Sequence, residues 1–350
     1  MRAARGKRHR TSVARIMFDL ERVLLELEES LQAERWVPGP QRSRLVHDPK
    51  ERRIHIAPFE DRIVHQALCA EIGPLLERSL IGDTYACRVG RGTHAALHRA
   101  TGWARFYRYF VHLDVRKLFP AIDHSILFAQ LERDVRCAKT LNVIEKILAA
   151  GRDADAPRFH FPGDDLWTPA TRALGLPIGS LTSQHFANRF LSPMDHRAKD
   201  RLRIRPYLRY MDDMLLFAND REELAGWARS LEEQAWKLHL RLHPWEVRPT
   251  REGVNFLGFR ILPTEVRVRR TSVNRARANL KRAREANDTR FPDRLRAVFA
   301  HWAHGDTFRL RTQVLRDLGL LASAYEIHPI ETEPERASRP ATETEETERE

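Results

Sequence analysis

The sequence predicts an α+β fold, in which short strands and amphipathic helices are interleaved along a basic chain. Two apolar runs of strand character, 108–113 and 204–218, carry aspartates at their end or near their centre. Segments with apolar side chains every three or four positions, as in amphipathic helices, flank both runs. The second run folds back at one tight turn, which favours antiparallel pairing. This order fits an α+β fold better than a doubly wound parallel sheet.

The N-terminal part predicts one long helix followed by extended segments. Residues 1–11 are basic, and we expect them to be a disordered lead-in. Residues 12–35 predict one amphipathic helix, which ends before the Pro- and Gly-containing segment 36–40. Residues 44–57 predict extended segments around a turn, and residues 60–80 return to helical spacing.

The rest of the chain predicts alternating strands and helices, then a helical C-terminal part. The segments in order are a strand at 108–113, a helix from Ser125, a loop at 151–169, a helix at 182–199, two strands within 204–218, a helix at 221–240, strands at 254–261 and 265–269, and helices at 271–326. Residues 327–350 are rich in Glu and Thr and poor in apolar side chains. We therefore expect an acidic, disordered tail there.

The charge balance indicates a polyanionic partner. The chain of 350 residues has a formal net charge of +12, although its last twenty residues hold eight Glu against three Arg. The rest of the chain is therefore more basic than the total. Lys and Arg neutralise phosphates and release condensed counterions, so the composition favours nucleic acid as the partner. Solubility alone is the alternative.

Composition and patterning argue against several other classes. No apolar run approaches the roughly 18–20 residues of a membrane helix, and we expect no membrane association. Asp19, Glu21 and Arg22 interrupt the apolar stretch that follows the basic N-terminus, which argues against a signal peptide. The three cysteines show neither zinc-ligand nor disulfide spacing. We expect a cytoplasmic protein.

The sharpest chemical feature is a pair of adjacent aspartates at a predicted hairpin tip. Asp212 and Asp213 follow Tyr210 and Met211, and apolar strands enclose them on both sides. Adjacent carboxylates in a cleft repel each other unless a cation neutralises them. An ordinary Asp-rich turn is the alternative for this element taken alone.

A third aspartate ends the other predicted strand. Asp114 follows the apolar run that ends at Leu113. One carboxylate at a strand end and a distant pair at a hairpin tip are what a two-metal site for phosphoryl transfer needs. Magnesium prefers such hard oxygen ligands. The sequence therefore predicts a site with two Mg²⁺ ions.

Together these motifs resemble those of a known family. Segments 110–123, 176–188, 210–213 and 255–259 are similar, in that order, to the central motifs of reverse transcriptases. Arg62, in the run Asp-Arg-Ile-Val-His, resembles the upstream fingers motif of the bacterial branch that is related to group II introns. The resemblance covers about residues 12–325.

The resemblance implies a right-hand polymerase fold with fingers and palm, built from an antiparallel sheet plus helices, and a helical thumb. The N-terminal helix and fingers would span 12–107, the palm with fingers insertions 108–270, and the thumb 271–326. The implied activity is RNA-directed DNA polymerisation with an RNA template, a DNA or RNA primer and dNTPs. Asp114 and Asp212 would be the main metal ligands, with the Val115 carbonyl and Asp213 assisting.

Further residues receive roles by the same resemblance. The implied dNTP-binding residues are Lys50, Arg52, Arg62, Phe119, Ile178, Gly179, Gln184 and Met211. The implied primer and template contacts are Tyr210, Asn255, Leu257, Gly258, Arg275, Lys281 and Arg282. Phe119 would exclude the ribose 2′-hydroxyl, with core packing as its alternative. For Lys50 and Arg52, a solvated surface turn is the alternative, and for the thumb cations Arg275, Lys281 and Arg282 it is a solvated helix.

One departure from the common family pattern favours a subtype. Ile178 stands where most reverse transcriptases have Gln, and Gln184 stands where they have Pro. This pattern is similar to that of diversity-generating retroelements, whose enzymes copy a template RNA with errors at adenine. The segment 85–94 also resembles that group. Ile178 offers only shape where Gln would offer polar contacts, so we expect low fidelity, with simple packing as the alternative.

Two other functions stay open at this point. A retron-like or antiphage defence reverse transcriptase would keep the chemistry and change the role. A catalytically inactive RNA-binding protein would keep the fold alone. For the retroelement subtype, the resemblance also implies a small basic accessory protein that forms a ring.

Overall fold

The computed structural model describes residues 2–47 and 51–320, and the chain divides into two compact units, Met1–Glu252 and Gly253–Glu350. The predicted fingers residue Lys50 and the predicted tail, 327–350, lie outside the described residues. The division at Glu252 differs from the palm–thumb boundary predicted after residue 270. The physical reason is that the last three strands pack with the C-terminal helices.

The N-terminal segment differs from the disordered lead-in that its basic composition predicts. Arg2–Ala4 forms a short 3₁₀ turn. Ala4 is fully buried and packs against Val13 and Phe59. A small apolar patch therefore orders a segment whose charges point to disorder.

The single helix predicted over 12–35 is two helices in the structure, α1 (Thr11–Phe18) and α2 (Leu20–Gln32). Asp19 separates them with a non-helical backbone, at φ −116° and ψ 39°. Its carboxylate accepts a hydrogen bond of 2.6 Å from Nε of Arg22. Such local side-chain bonds at Asp compete with helix continuation, and the apolar spacing alone does not reveal them.

A β-hairpin and two helices follow. Strands β1 (Arg42–His47) and β2 (Glu51–Ile56) pair antiparallel, and helices α3 (Phe59–Arg78) and α4 (Thr93–Phe106) come next. The hairpin is tied to a distant turn, because the backbone N–H of His55 donates to the carbonyl of Ile178 over 2.8 Å.

The central sheet has four antiparallel strands in the order β4-β5-β3-β6. Their bounds are β3 (Tyr109–Asp114), β4 (Tyr207–Tyr210), β5 (Asp213–Ala218) and β6 (Arg248–Pro249). Strand β5 is almost wholly buried, as its continuous apolar run predicts.

Helices cover this sheet and enclose the main core. They are α5 (Leu118–Ala121), α6 (His124–Asp134), α7 (Ala138–Ala150), α8 (Thr168–Thr171), α9 (Leu181–His196) and α10 (Arg221–Lys237). Phe186 and Phe190 of α9 and Leu231 of α10 are fully buried in one cluster with Leu216 of the sheet. This core fixes the strand ends that carry the aspartates.

Up to residue 320, where the described part of the chain ends, the second unit has three short strands and three helices. They are β7 (Val254–Phe256), β8 (Phe259–Ile261), β9 (Val266–Val268), α11 (Arg270–Glu285), α12 (Phe291–Trp302) and α13 (Phe308–Asp317). The backbone N–H of Asp306 donates to the Val266 carbonyl over 2.7 Å, and the Asp306 carboxylate accepts from the Val266 N–H at the same distance.

The segment 254–261, predicted as one strand, is a hairpin. Leu257 and Gly258 both have positive φ, 47° and 88°, as a two-residue type I′ turn requires. Glycine adopts this backbone readily, but leucine rarely does. The pair therefore lacks the usual Asn-Gly signal, and the turn was missed.

The α+β class is confirmed, with antiparallel sheets and helices mixed along the chain. Among the residues that the structure describes, no helix is long and apolar enough to cross a membrane.

Candidate active site

The three predicted catalytic aspartates converge at one end of the central sheet. Asp114 is the last residue of β3 and lies directly opposite Asp213, the first residue of β5. Asp212 occupies the two-residue turn between β4 and β5. The backbone N–H of Val115 donates to the Asp212 carbonyl over 3.3 Å. Antiparallel pairing thus brings together carboxylates that are about a hundred residues apart in sequence.

The turn that presents Asp212 has a strained backbone. Met211 has φ +55°, in the left-handed region that non-glycine residues rarely occupy. Such a conformation costs of order 1 kcal/mol and persists only where surrounding contacts determine it. One such contact is present, because Nη1 of Arg209 donates to the Met211 carbonyl over 3.2 Å.

A buried ion pair below the turn supplies that support. Arg209 and Asp195 are both fully buried, and Nε and Nη2 of Arg209 donate to the two Asp195 oxygens over 2.8 and 2.7 Å. The Asp195 carboxylate also accepts from Tyr207 Oη at 2.7 Å and Thr84 Oγ1 at 2.9 Å. A buried pair satisfied in this way holds its neighbours in one geometry. Sequence reasoning missed it, although an arginine inside an apolar strand is a signal.

Burial and mutual repulsion perturb the aspartate at the tip. The pKa of Asp212 is raised to about 6, first by burial, then by the charges of Asp213 and Asp114. The positive charge of Arg52 acts in the opposite direction. The three carboxylates are therefore electrostatically coupled, and the triphosphate contact of Arg52 on β2 stays a prediction.

Two histidines beside the aspartates were missed by sequence reasoning. His112 lies on β3, and its Nε2 is 2.7 Å from Oδ1 of Asp213. The backbone N–H of His243 donates to the Asp114 carbonyl over 2.8 Å, and its Nε2 is 3.9 Å from Oδ2 of the same residue. His112 stands two positions before Asp114 on the strand, which places both side chains on one face. That spacing could have indicated it.

The donor set fits magnesium by chemical type. Asp114, Asp212 and Asp213 offer carboxylate oxygens, and the Val115 carbonyl would add one more hard ligand. Among residues 2–47 and 51–320, no three acidic, histidine or cysteine side chains already form a metal-binding group. A cation would relieve the repulsion that raises the Asp212 pKa.

Other predicted nucleotide contacts fall into two places. Phe119 and Met211 are half-buried against the main core. Ile178 and Gln184 are also half-buried. Arg62 and Gly179, in contrast, line a cavity that none of the three aspartates lines. The nucleotide contacts of Arg62 and Gly179 stay predictions.

Gly179 lies in the turn that packs against the β1–β2 hairpin. Its φ is +105°, and an added Cβ would lie 2.9 Å from Cγ2 of Ile54 and 3.1 Å from the His55 carbonyl oxygen. Both the backbone angle and the close approach of β2 require glycine here. Glycine at position 179 therefore lets β2 approach this turn closely, and the nucleotide contact of Gly179 stays a prediction.

The predicted primer and template residues lie in both units. In the first unit, the Tyr210 hydroxyl and the Thr93 hydroxyl are 3.0 Å apart. In the second unit, Asn255, Arg275, Lys281 and Arg282 are exposed. Leu257 and Gly258 form the hairpin turn between β7 and β8. The exposed cations of α11 form the basic surface that its sequence predicts.

An antiparallel sheet with helices behind it and acidic residues at one end is the palm of a template-dependent polymerase, and this is the class that the fold defines. Within that class, the chain belongs to the reverse transcriptase (RNA-dependent DNA polymerase) family, whose model matches residues 43–261. The predicted polymerase fold and family are confirmed. The retroelement subtype stays a prediction.

Curated relatives come from intron-encoded proteins. The putative COX1/OXI3 intron 1 protein of Saccharomyces cerevisiae is 22% identical over 161 residues, covering 45% of this chain and 18% of that protein. The group II intron-encoded protein LtrA of Lactococcus lactis subsp. cremoris is 24% identical over 178 residues, covering 50% and 28%. The chain thus matches less than a third of the length of either relative.

Two solved structures are also similar. Apo telomerase from Candida tropicalis, truncated from its C-terminal domain, aligns with a TM-score of 0.48 at 12% identity, covering 70% of this chain and 59% of that one. Telomerase from Candida albicans, in complex with the TWJ fragment of telomeric RNA, aligns with a TM-score of 0.49 at 12% identity, covering 85% and 58%.

Proposed function

We propose that this protein is an RNA-directed DNA polymerase that extends a primer on a template RNA. The observation that supports it most is the convergence of Asp114, Asp212 and Asp213 at adjacent strand ends. Three coupled carboxylates of this kind would hold two Mg²⁺ ions with help from the Val115 carbonyl. When bound, two such metal ions neutralise the attacking and leaving oxygens of a phosphoryl transfer.

The side chains around the carboxylates would bind and orient the nucleotide. Arg52, which already lowers the Asp212 pKa, would neutralise the incoming triphosphate. Phe119 would pack beneath the sugar and exclude a ribose 2′-hydroxyl. His112 would fix the orientation of the Asp213 carboxylate through the 2.7 Å contact. These side chains bind and orient the nucleotide and add no chemical step.

The basic surface of α11 supports a nucleic-acid partner. Arg275, Lys281 and Arg282 are exposed there. Cations on a helix can follow a nucleic-acid backbone without reading bases, which suits a duplex of changing sequence. We propose that this surface holds the template–primer duplex.

The subtype that we propose is an error-prone enzyme of a diversity-generating retroelement. Ile178 carries this proposal, because its apolar side chain cannot make the polar contacts that a glutamine would make. A small basic accessory protein and a cytoplasmic location belong to the same proposal. A template repeat that differs at adenines from a second repeat, beside the gene, would support the subtype. A neighbouring structured non-coding RNA would favour the retron-like alternative.

Primer extension on an RNA template tests the activity. The full chain with Mg²⁺, dNTPs and a DNA primer annealed to RNA is expected to give extended DNA. Asp212→Asn should abolish extension, because it removes one ionised ligand. Asp155→Asn is the matched control, since it changes an exposed aspartate with 77% of its side chain accessible.

Two results would contradict the proposal. Activity that survives in Asp212→Asn would mean that the reaction occurs elsewhere. RNA binding without extension in the unmodified protein, at several Mg²⁺ concentrations and with several primers, would favour the inactive RNA-binding alternative.

A further inference from the structure

A cavity of about 380 Å³ lies in the first unit, and none of the three aspartates of the candidate active site lines it. Its walls come from the N-terminal segment, the end of β2, the start of α3 and the turn before α9. The charged and polar side chains of its lining include Arg5, Lys7, Arg10, Arg62, His65 and Ser180.

The lining of the cavity is cationic. Arg5, Lys7, Arg10 and Arg62 line it, and no acidic side chain among the described residues does. Burial lowers the pKa of Arg62, the nearby positive charge of Arg10 lowers it further, and the negative charge of Glu60 acts in the opposite direction. Like charges held together in this way attract an anion.

A buried polar atom inside the cavity lacks a partner. His65 is 4% exposed, and its Nε2 makes no hydrogen bond within the described chain. Its Nδ1 is 3.3 Å from Ser180 Oγ, which is also 2.8 Å from Thr182 Oγ1. Burial lowers the His65 pKa to about 4, so the ring is neutral at pH 7. When Nδ1 accepts from Ser180, Nε2–H is a donor without an acceptor.

The N-terminus of a long helix borders the same cavity. Helix α9 begins at Leu181, which lines the cavity together with Ser180. Within the described residues no side chain caps this helix, and its first turn has no acidic residue. The free N–H groups and the positive end of the helix dipole favour an anion at this position.

We propose that this cavity, which none of the three aspartates lines, binds a phosphate group of a nucleic-acid strand. Phosphate offers the acceptor oxygens that the buried ring nitrogen, the helix start and the cations require. No Phe, Tyr or Trp, which offer the larger rings for base stacking, is among the described residues that line the cavity. That composition favours a strand phosphate over a free nucleotide. The inference rests on the proposed function only in taking nucleic acid as the partner.

Fluorescence anisotropy with the full chain tests the proposal. The probe is a fluorescein-labelled 20-nucleotide oligo(U), in EDTA so that no divalent ion contributes. The Lys7→Ala/Arg10→Ala variant is expected to bind about tenfold more weakly at 0.1 M salt, with a smaller slope of log Kd against log salt. Arg8→Ala/Arg15→Ala is the matched control, since it removes the same charge from exposed residues that do not line the cavity. It should change Kd less than threefold.

A second variant tests the buried donor. His65→Leu keeps the size of the side chain and removes the ring nitrogens, so we expect weaker oligo(U) binding with an unchanged salt slope. Circular dichroism and thermal melting identify a variant that fails to fold, and in that case the Lys7 and Arg10 pair still decides the question.

The outcomes separate the possible ligands and the two proposals. Equal losses in the cavity pair and the control pair would overturn the site. A fluorescent dTTP analogue that loses affinity in Lys7→Ala/Arg10→Ala, while oligo(U) does not, would assign the cavity to a free nucleotide and overturn the strand assignment. Asp212→Asn is expected to bind oligo(U) normally. A failure of primer extension is therefore distinguishable from a failure of this phosphate site.

Discussion

Replacing Asp212 with asparagine should stabilise the protein without metal, in a pH-dependent manner. The Asp212 pKa is raised from 3.8 to about 6 in the folded chain. The folded state therefore binds this proton more tightly than the unfolded state, and ionisation destabilises the fold. Below a pH of about 4 the carboxyl is protonated in both states and costs nothing. As the pH rises through about 6, the wild type loses stability and the asparagine variant does not.

The size of the effect follows from the same two values. A pKa difference of about 2 corresponds to about 3 kcal/mol. Because Asp212 is only partly buried, solvent screening lowers this to about 1–2 kcal/mol. For a chain of this size, that energy raises the melting temperature by about 1–3 °C. The increase in melting temperature of Asp212→Asn over the wild type should be full at pH 8 and absent at pH 4.

Thermal melting in EDTA at pH 4, 6 and 8 measures this directly, with Asp155→Asn as the matched control. Adding MgCl₂ at pH 8 should then raise the melting temperature of the wild type more than that of Asp212→Asn, because only the wild type keeps the full ligand set. A variant that is less stable than the wild type at pH 8, or equally shifted at all three pH values, would refute the coupling of the carboxylates.

Three further predictions concern neighbouring side chains. Arg209→Met should destabilise the fold by roughly 3–5 kcal/mol in chemical denaturation, since it leaves the Asp195 charge buried and alone, and adding Asp195→Leu should recover part of that loss. Phe119→Val should raise rNTP incorporation relative to dNTP incorporation by roughly 10- to 100-fold in single-nucleotide extension, because the clash with the 2′-hydroxyl is removed. Ile178→Gln should lower misincorporation opposite template adenine several-fold in sequenced products, and an unchanged error spectrum would contradict the role given to Ile178.

Local patterns predicted the elements that carry the chemistry. Strand β5 is a continuous apolar run that begins at an aspartate, and the structure places its start at Asp213. The prediction for β3 ends within one residue of the observed Asp114. Both strands are buried and bounded by charge, so hydrophobicity alone locates them. The pairing of β3 with β5 could be expected only because a two-metal site requires the three carboxylates to lie close together.

Features that depend on distant contacts were not predictable from local patterns. The ion pair of Arg209 and Asp195 connects a strand to a helix. The sequence of neither segment indicates which residue of the other segment it pairs with. The pairing of His243 with Asp114 likewise depends on the sheet being assembled. For the N-terminal segment, the basic composition predicted disorder, but the burial of Ala4 against apolar side chains orders it.

The tie between His55 and Ile178 uses main-chain atoms alone. The side chain at position 178 can therefore be exchanged without breaking the bond that anchors the hairpin. A saturation library at this single codon would vary the side chain while the hydrogen bond between the two main chains is kept. Under the role proposed for Ile178, such a library would make copying accuracy open to directed evolution in either direction.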